Sequence, residues 1–346
     1  MPVNRRSTLK GALALGGMAA AGGAGGAAPT ARQLRVAVVQ MESTNGDIAG
    51  NLRRAAGFAR KAAGAGAKLV LFPELMPTGY SLYYDIWDSA EPSNGATARW
   101  IVGTAKQLGV WLGTSFLEAD GEDFYNTFIL AGPDGREAGR VRKQVPADAE
   151  AYFFRADGGP HVIDTAIGRI GVSICAEGYY CFVAEQMRRL SADIVLMPHS
   201  APDCSATGGL PAAPGTHLGL WYAGKLGVPV AFVNKVGPFR TRTLTEPPQE
   251  STGVFPGLSA IIDSDARVLA TMDGLAGIGL ADVVLDPGRK TRASSVCTGA
   301  GIAELAIGGA AGVAAVVKVQ EAGSRAYAAS ALRRQKALAI SRPARA

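Results

Sequence analysis

The chain has 346 residues, 48% of them apolar and 18% charged, a composition that excludes a disordered chain and leaves ample material for a core. Its net charge of +6 sits at the ends: Arg5, Arg6 and Lys10 in the first 31 residues, and six Arg and Lys in Ser324–Ala346, with no acid in either stretch. Removing those nine positive charges leaves residues 32–323 at −3, which excludes a basic nucleic-acid-binding body and confines any membrane contact to the basic tail.

The N-terminal run NRRSTLKGALALGGMAAAGGAGGAA pairs two arginines with a weakly apolar, small-residue stretch. It resembles a bacterial twin-arginine export signal. Residues 1–31 are therefore set aside as a targeting segment, with a periplasmic or extracellular destination expected.

From Leu34 onward, LRVAVVQM reads as a strand, NLRRAAGFARKAAGAGA as a helix, and KLVLFPE as a buried strand ending in an acid. WIVGTAKQL reads as helix, VWLGTSFLE as strand, and FYNTFILAGPDGREAGRVRK as two strands about the turn PDG. HVIDTAIGRIGVSIC gives two more strands, FVAEQMRRLSA a helix, DIVLMPHSA a strand and HLGLWYAGKLG a helix. VPVAFVNKVG is a further strand, and LSAIIDSDARVLA a hairpin turning at Asp263 to Ala266. Hairpins mixed with strand–helix alternation predict sheets packed on each other and covered outside by helices.

Two stretches without periodicity, Pro202–Thr216 and Thr241–Thr252, are expected to be long loops bordering a site. Beyond Cys297 the chain turns Ala/Gly-rich, then basic. Its apolar part, Gly301–Val317, is too short and too interrupted by Glu304 to span a membrane. Cysteines 175, 181, 204 and 297 do not read as a disulfide framework for a chain this long, and three remain if Cys175 stays a thiol. Three histidines (161, 199 and 217) without CxxC or HExxH spacing point to no zinc site.

Three strand ends carry residues that would be costly inside an apolar core: Glu74 closes LVLFPE, Lys143 follows GRVR, and Cys175 closes IGVSIC. Alone, each has an ordinary explanation, as a solvated acid, a surface lysine and a small core residue. Together they are a base, a cation and a thiol at the kind of position where sheet enzymes assemble their sites. His199 or His217 beside Cys175 is the competing arrangement, a Cys–His pair.

In order along Leu34–Asp286, the blocks RVAVVQM, LVLFPELMPTGY, YNTFILAGPDGREAGRVRKQ, TAIGRIGVSICAE, ADIVLMPHSA and GLSAIIDSDARVLA resemble the carbon–nitrogen hydrolase (nitrilase) superfamily. The resemblance implies a four-layer α-β-β-α sandwich forming a single domain over 32–298, followed by an extension over 299–346, and a homodimer or higher homo-oligomer. It implies Cys175 as nucleophile, Glu74 as general base, Lys143 as the cation facing the oxyanion, and Glu150 as a second glutamate. Tyr80 would line the substrate pocket, and the backbone N–H of Ala176 would be a further oxyanion donor. Glu177 would hold the turn by hydrogen bonds, while Asn126 and Thr127 would be scaffold. No metal, nucleotide or flavin is called for.

The branch is less defined. CAEGYY lacks the paired arginines that N-carbamoyl-D-amino-acid hydrolases carry after the nucleophile and the C-W-E of typical nitrilases. KQVPADAEAYF departs from the usual lysine-x-His-Leu run. Hydrolysis of a small amide or carbamoyl compound by water is the expected activity, with nitrile hydrolysis and acyl transfer as alternatives on the same site. A catalytically silent binding or assembly protein is the alternative of another class.

Overall fold

A computed structural model describes residues 30–207, 215–299 and 309–341. Most of the export-signal segment and residues 208–214 of the first long loop lie outside them. Ala31–Ala346 form one compact unit.

Two sheets make up its centre. The first runs, edge to edge, through Gly277–Leu285, Arg32–Gln40, Leu69–Leu71, Trp111–Asp120, Asp123–Ala131 and Glu137–Arg142, with Glu91–Pro92 pairing on Trp111–Asp120. The second runs through Val268–Thr271, Ala260–Ile262, Val230–Val233, Ile194–Pro198, Gly168–Val172 and Val162–Thr165. In each, three parallel strands sit at the middle and antiparallel strands flank them. Parallel strands are covered on both faces, which is why Leu69–Leu71, Ile194–Pro198 and Val230–Val233 are apolar throughout.

Alternation along each strand divides the core. Val36 and Val38 face inward with Leu69, Leu71, Val172, Leu196 and Val233, where sheet packs on sheet. Ala37 and Val39 face outward, against Leu52 and Ala55 of helix Ile48–Gly64 and Ile101 of helix Ala96–Leu108. Helices Cys181–Arg189 and Gly215–Leu226 cover the outer face of the second sheet through Met187, Leu218 and Tyr222. The expected α-β-β-α layering is therefore the observed one. Local signals fix the helix ends: Asp47 caps the first helix by accepting from Gly50 N at 2.9 Å, and Gly109 ends the second at φ +65°.

The structure adds to the sequence reading at three places. Thr241–Thr252 is the tip of a hairpin: loop residues 243–249 join Val236–Arg242 to Glu250–Pro256, which pair antiparallel and seat Phe239 and Phe255 on Tyr80. Cys181 and Cys297 are joined by a disulfide, with Cα atoms 5.4 Å apart, whereas Cys175 and Cys204 are not disulfide-bonded. Parity failed as a guide because the second unbridged cysteine was invisible to it. The Ala/Gly-rich extension forms two helices, Gly309–Ala329 and Ala331–Ser341. Among the described residues no helix is long and apolar enough to cross a membrane.

Candidate active site

The ends of neighbouring strands from both sheets converge on one buried cluster. Glu74 follows Leu69–Leu71, Cys175 follows Gly168–Val172, and His199 and Ser200 follow Ile194–Pro198, all past the C-terminal ends of parallel strands. Lys143 follows the antiparallel strand Glu137–Arg142, its backbone held by Lys143 N donating to Asn126 O at 2.9 Å.

Lys143 sits between two carboxylates, its Nζ 2.8 Å from Glu74 Oε1 and 2.7 Å from Glu150 Oε2. All three side chains are at most 1% exposed, so each charge depends on the others for compensation. Glu74 Oε1 also accepts from Asn126 Nδ2 at 2.7 Å, while Glu74 Oε2 is buried without a hydrogen-bond partner. Glu150 accepts from the Tyr80 hydroxyl at 2.8 Å and from Ala147 N at 2.6 Å.

These contacts set the protonation states. Burial pushes the Glu74 carboxyl up, but Lys143, His199 and Asn126 together bring it below its ordinary value. Burial and the neighbouring Glu74 charge hold Glu150 above its ordinary value in spite of Lys143. Lys143, although burial works against its charge, is held well above the usual lysine range by Glu150 and Glu74. The Cys175 thiol is pushed well up by burial and by the Glu74 charge, with Lys143 opposing. At rest the cluster is thus an ion-paired lysine beside a neutral thiol.

Cys175 has φ +54°, a left-handed conformation that a side chain adopts at a cost of order 1–3 kcal/mol. Glu177 holds this turn. Its Oε1 accepts from Ile174 N at 2.7 Å, and its Oε2 accepts from Gln144 N at 2.8 Å and lies 3.2 Å from His161 Nε2. One carboxylate therefore ties the Cys175 turn to the residue after Lys143. On the far side Ser200 Oγ donates to Glu74 O at 2.7 Å. Ala176 follows directly in the short helical turn Cys175–Tyr179.

Glu74, Lys143, Glu150 and Tyr80 are thus directly linked, and Cys175 lies within the field of the three charged groups. Sequence reasoning placed Glu177 correctly as a turn clamp but left Asn126 as scaffold, whereas its amide holds Glu74. Thr127 is scaffold, donating to Glu118 at 2.7 Å. Lys235, read as part of a strand, is fully buried, with Nζ donating to Leu75 O at 3.1 Å. The His199 ring lies tilted against Phe232, centroids 4.5 Å apart, and is kept neutral by burial, its pKa lowered to about 4, which disfavours a Cys–His pair. Among the described residues no cluster of three or more His, Cys, Asp or Glu is arranged to hold a metal ion.

The family model for carbon–nitrogen hydrolases matches residues 35–293, three quarters of the chain. The chain belongs to the carbon–nitrogen hydrolase family. It matches relatives of differing chemistry. It is 30% identical to a nitrilase of Pyrococcus abyssi over 169 residues, 48% of this chain and 64% of that one. It is 27% identical to an N-carbamoylputrescine amidase of Arabidopsis thaliana over 252 residues, 70% of this chain and 83% of that one. The match to the first thus spans a little under two thirds of that relative. Among solved structures, Nit3 of Saccharomyces cerevisiae, a member of branch 10 of the nitrilase superfamily, superposes with a TM-score of 0.62. That pair is 25% identical and covers 74% of this chain and 91% of the yeast one. The fold is the nitrilase-type α/β fold, two mixed sheets with flanking helices in a single domain.

Proposed function

We propose that this carbon–nitrogen hydrolase cleaves the C–N bond of a small amide or carbamoyl compound through a thioester on Cys175. The observation that carries the reading is the asymmetry of Glu74. Its Oε1 is occupied by Lys143 and Asn126, whereas its buried Oε2 has no partner and is left to accept a proton.

Because burial keeps the thiol neutral, attack and deprotonation occur together. The sulfur adds to the carbonyl carbon as its proton passes to Glu74 Oε2. The oxyanion meets the third N–H of Lys143 Nζ, whose other two face the glutamates, and the N–H of Ala176. Glu74 is a weak base, and this suits the next step: it passes the proton to the departing nitrogen, a stronger base, and ammonia or an amine leaves. Water then gives its proton to Glu74 as it attacks the thioester, and the Cys175 sulfur leaves with that proton. Glu150 serves as the second carboxylate holding Lys143, and Tyr80 by orienting Glu150.

A silent binding role fits less well. A fold gains little from a buried Lys between two Glu, since well-packed apolar residues are often equally or more stable in such places. The two named relatives, a nitrilase and a carbamoyl amidase, set the substrate panel. The test is ammonia release from simple amides, N-carbamoyl amines and nitriles, with Cys175→Ala as blank. We expect amides or carbamoyl compounds to turn over and the blank to fall by more than about 1000-fold. Turnover of nitriles alone would replace the amidase reading, and equal rates for both proteins would remove the mechanism.

Export is part of the same proposal, supported by the Arg5–Arg6 pair and by the Cys181–Cys297 disulfide, a bond suited to an oxidising compartment. So is a homodimer across a helical face, where Phe182 and Leu190 are exposed beside Cys181–Arg189.

A further inference from the structure

The family match ends at residue 293, yet the chain goes on to build helices Gly309–Ala329 and Ala331–Ser341 against the body. The first lies across Asp148–Tyr152, the turn that carries Glu150. That turn is in need of support. Asp148 holds a left-handed φ of +37°, and the Glu150 carboxylate is fully buried beside a second carboxylate.

The helix supplies the support at two adjoining places. At Gly323 its backbone comes so close that an added Cβ would stand 2.9 Å from Ala151 C and Cβ and 2.7 Å from Tyr152 Cδ2. Only glycine permits that approach, and Ala151 is the residue next to Glu150. One helical turn earlier, Gln320 Nε2 donates to Pro146 O at 2.9 Å and lies 3.1 Å from the Tyr180 hydroxyl. Pro146 leads into the Glu150 turn, and Tyr180 closes the Cys175–Tyr179 turn. A single side chain of the extension therefore joins the Glu150 segment to the Cys175 segment.

Further along, the extension grips the strand that carries Asn126. The Tyr327 hydroxyl accepts from Phe124 N at 2.8 Å and lies 3.2 Å from Asp123 Oδ1, and Arg333 is ion-paired with Asp123. Lys336 pairs with Asp88, away from the site.

We infer that the C-terminal helices are a positioning element of the active site, with Gln320 and Gly323 fixing Glu150 against Lys143. The inference rests on the role given to Glu150 above. Loss of either contact lets the Glu150 turn drift, and a drift of about 1 Å costs catalysis about ten- to hundredfold. Lys143, no longer held by Glu150, also shifts from Glu74, whose carboxyl becomes easier to protonate, so the acidic limb of the rate profile moves to higher pH.

The test uses full-length Gln320→Ala, Gly323→Leu, Lys336→Ala and Glu150→Gln, each assayed for kcat per titrated Cys175, pH profile and Tm. We expect Gln320→Ala and Gly323→Leu to lose about tenfold or more in kcat and to shift the acidic limb upward, while Lys336→Ala keeps both. If Gly323→Leu does not fold, Gln320→Ala alone carries the test. Wild-type kcat and pH limb in Gln320→Ala, even with a lower Tm, overturn the inference when Glu150→Gln is inactive. A fully active Glu150→Gln instead overturns the reading of Glu150, and the inference with it.

Discussion

Two buried lysines feel the charge of Glu74, and their surroundings make them opposites. Lys143 lies between two carboxylates and stays an ammonium in spite of full burial. Lys235 is buried as deeply, but its Nζ has one carbonyl, Leu75 O, and the rings of Tyr80 and Phe255 at 6.0 and 5.8 Å. Burial lowers it to about 7, with only the charge of Glu74 opposing. Depth alone therefore does not decide the charge of a buried amine. Carboxylates within hydrogen-bond distance do, and that leaves one lysine as a fixed ammonium and the other able to lose its proton near neutral pH.

The sharpest way to break the comparison is Lys143→Met. It leaves Glu74 and Glu150 facing each other without a cation, so ammonia release should fall by about 100- to 1000-fold and stability by about 3–5 kcal/mol in urea unfolding. Adding Glu150→Gln to that variant should restore part of the stability and none of the activity. Independent losses in the two variants would show that Lys143 and Glu150 do not act as a pair.

A smaller effect is expected from Asn126→Leu, which takes one hydrogen bond from Glu74 and leaves Lys143 in place. The loss should be about 1.5–3 kcal/mol, since the bond is to a charged group. The acidic limb of the rate profile should move up as Glu74 becomes easier to protonate. An unmoved limb would mean that Glu74 is not the group that titrates.

Lys235→Met should give the smallest change in turnover, and its signature lies in the pH dependence of stability. Between about pH 7 and 10.5 the unfolded chain keeps a proton on Lys235 that the folded chain has given up, so wild-type stability gains with rising pH relative to the variant. The relative slope is at most about 1.4 kcal/mol per pH unit. Parallel stability curves for the two proteins would mean that Lys235 stays charged when folded.

The same contrast explains what was legible in the sequence. Strands such as LVLF and IVLMP read clearly because both faces are buried, and Glu74, Lys143 and Cys175 stood out as polar or reactive groups exported to their ends. Lys235 sat in VNKVG, where one lysine after an apolar run looks like any strand leaving the core. Its burial comes from the hairpin Val236–Arg242 and Glu250–Pro256, whose Gly/Pro/Thr-rich crossing masked its pairing. Asn126 reads as scaffold, and not as the residue that holds Glu74, because that partner is 52 residues away. The disulfide and the docking of Gln320 likewise join segments more than a hundred residues apart, and Ala/Gly-rich helices carry little periodic signal of their own.

The central claim is that Cys175 takes the acyl group. Acid quench within milliseconds of mixing enzyme with a turned-over amide, followed by peptide mass mapping, tests it directly. With cleavage after Tyr179 and Tyr180, which separates Cys175 from Cys181, we expect the acyl mass on the peptide containing Cys175, absent from those containing Cys204 and from the disulfide-linked pair. An acyl mass on another residue, or product formed at the wild-type rate by Cys175→Ala, would contradict it.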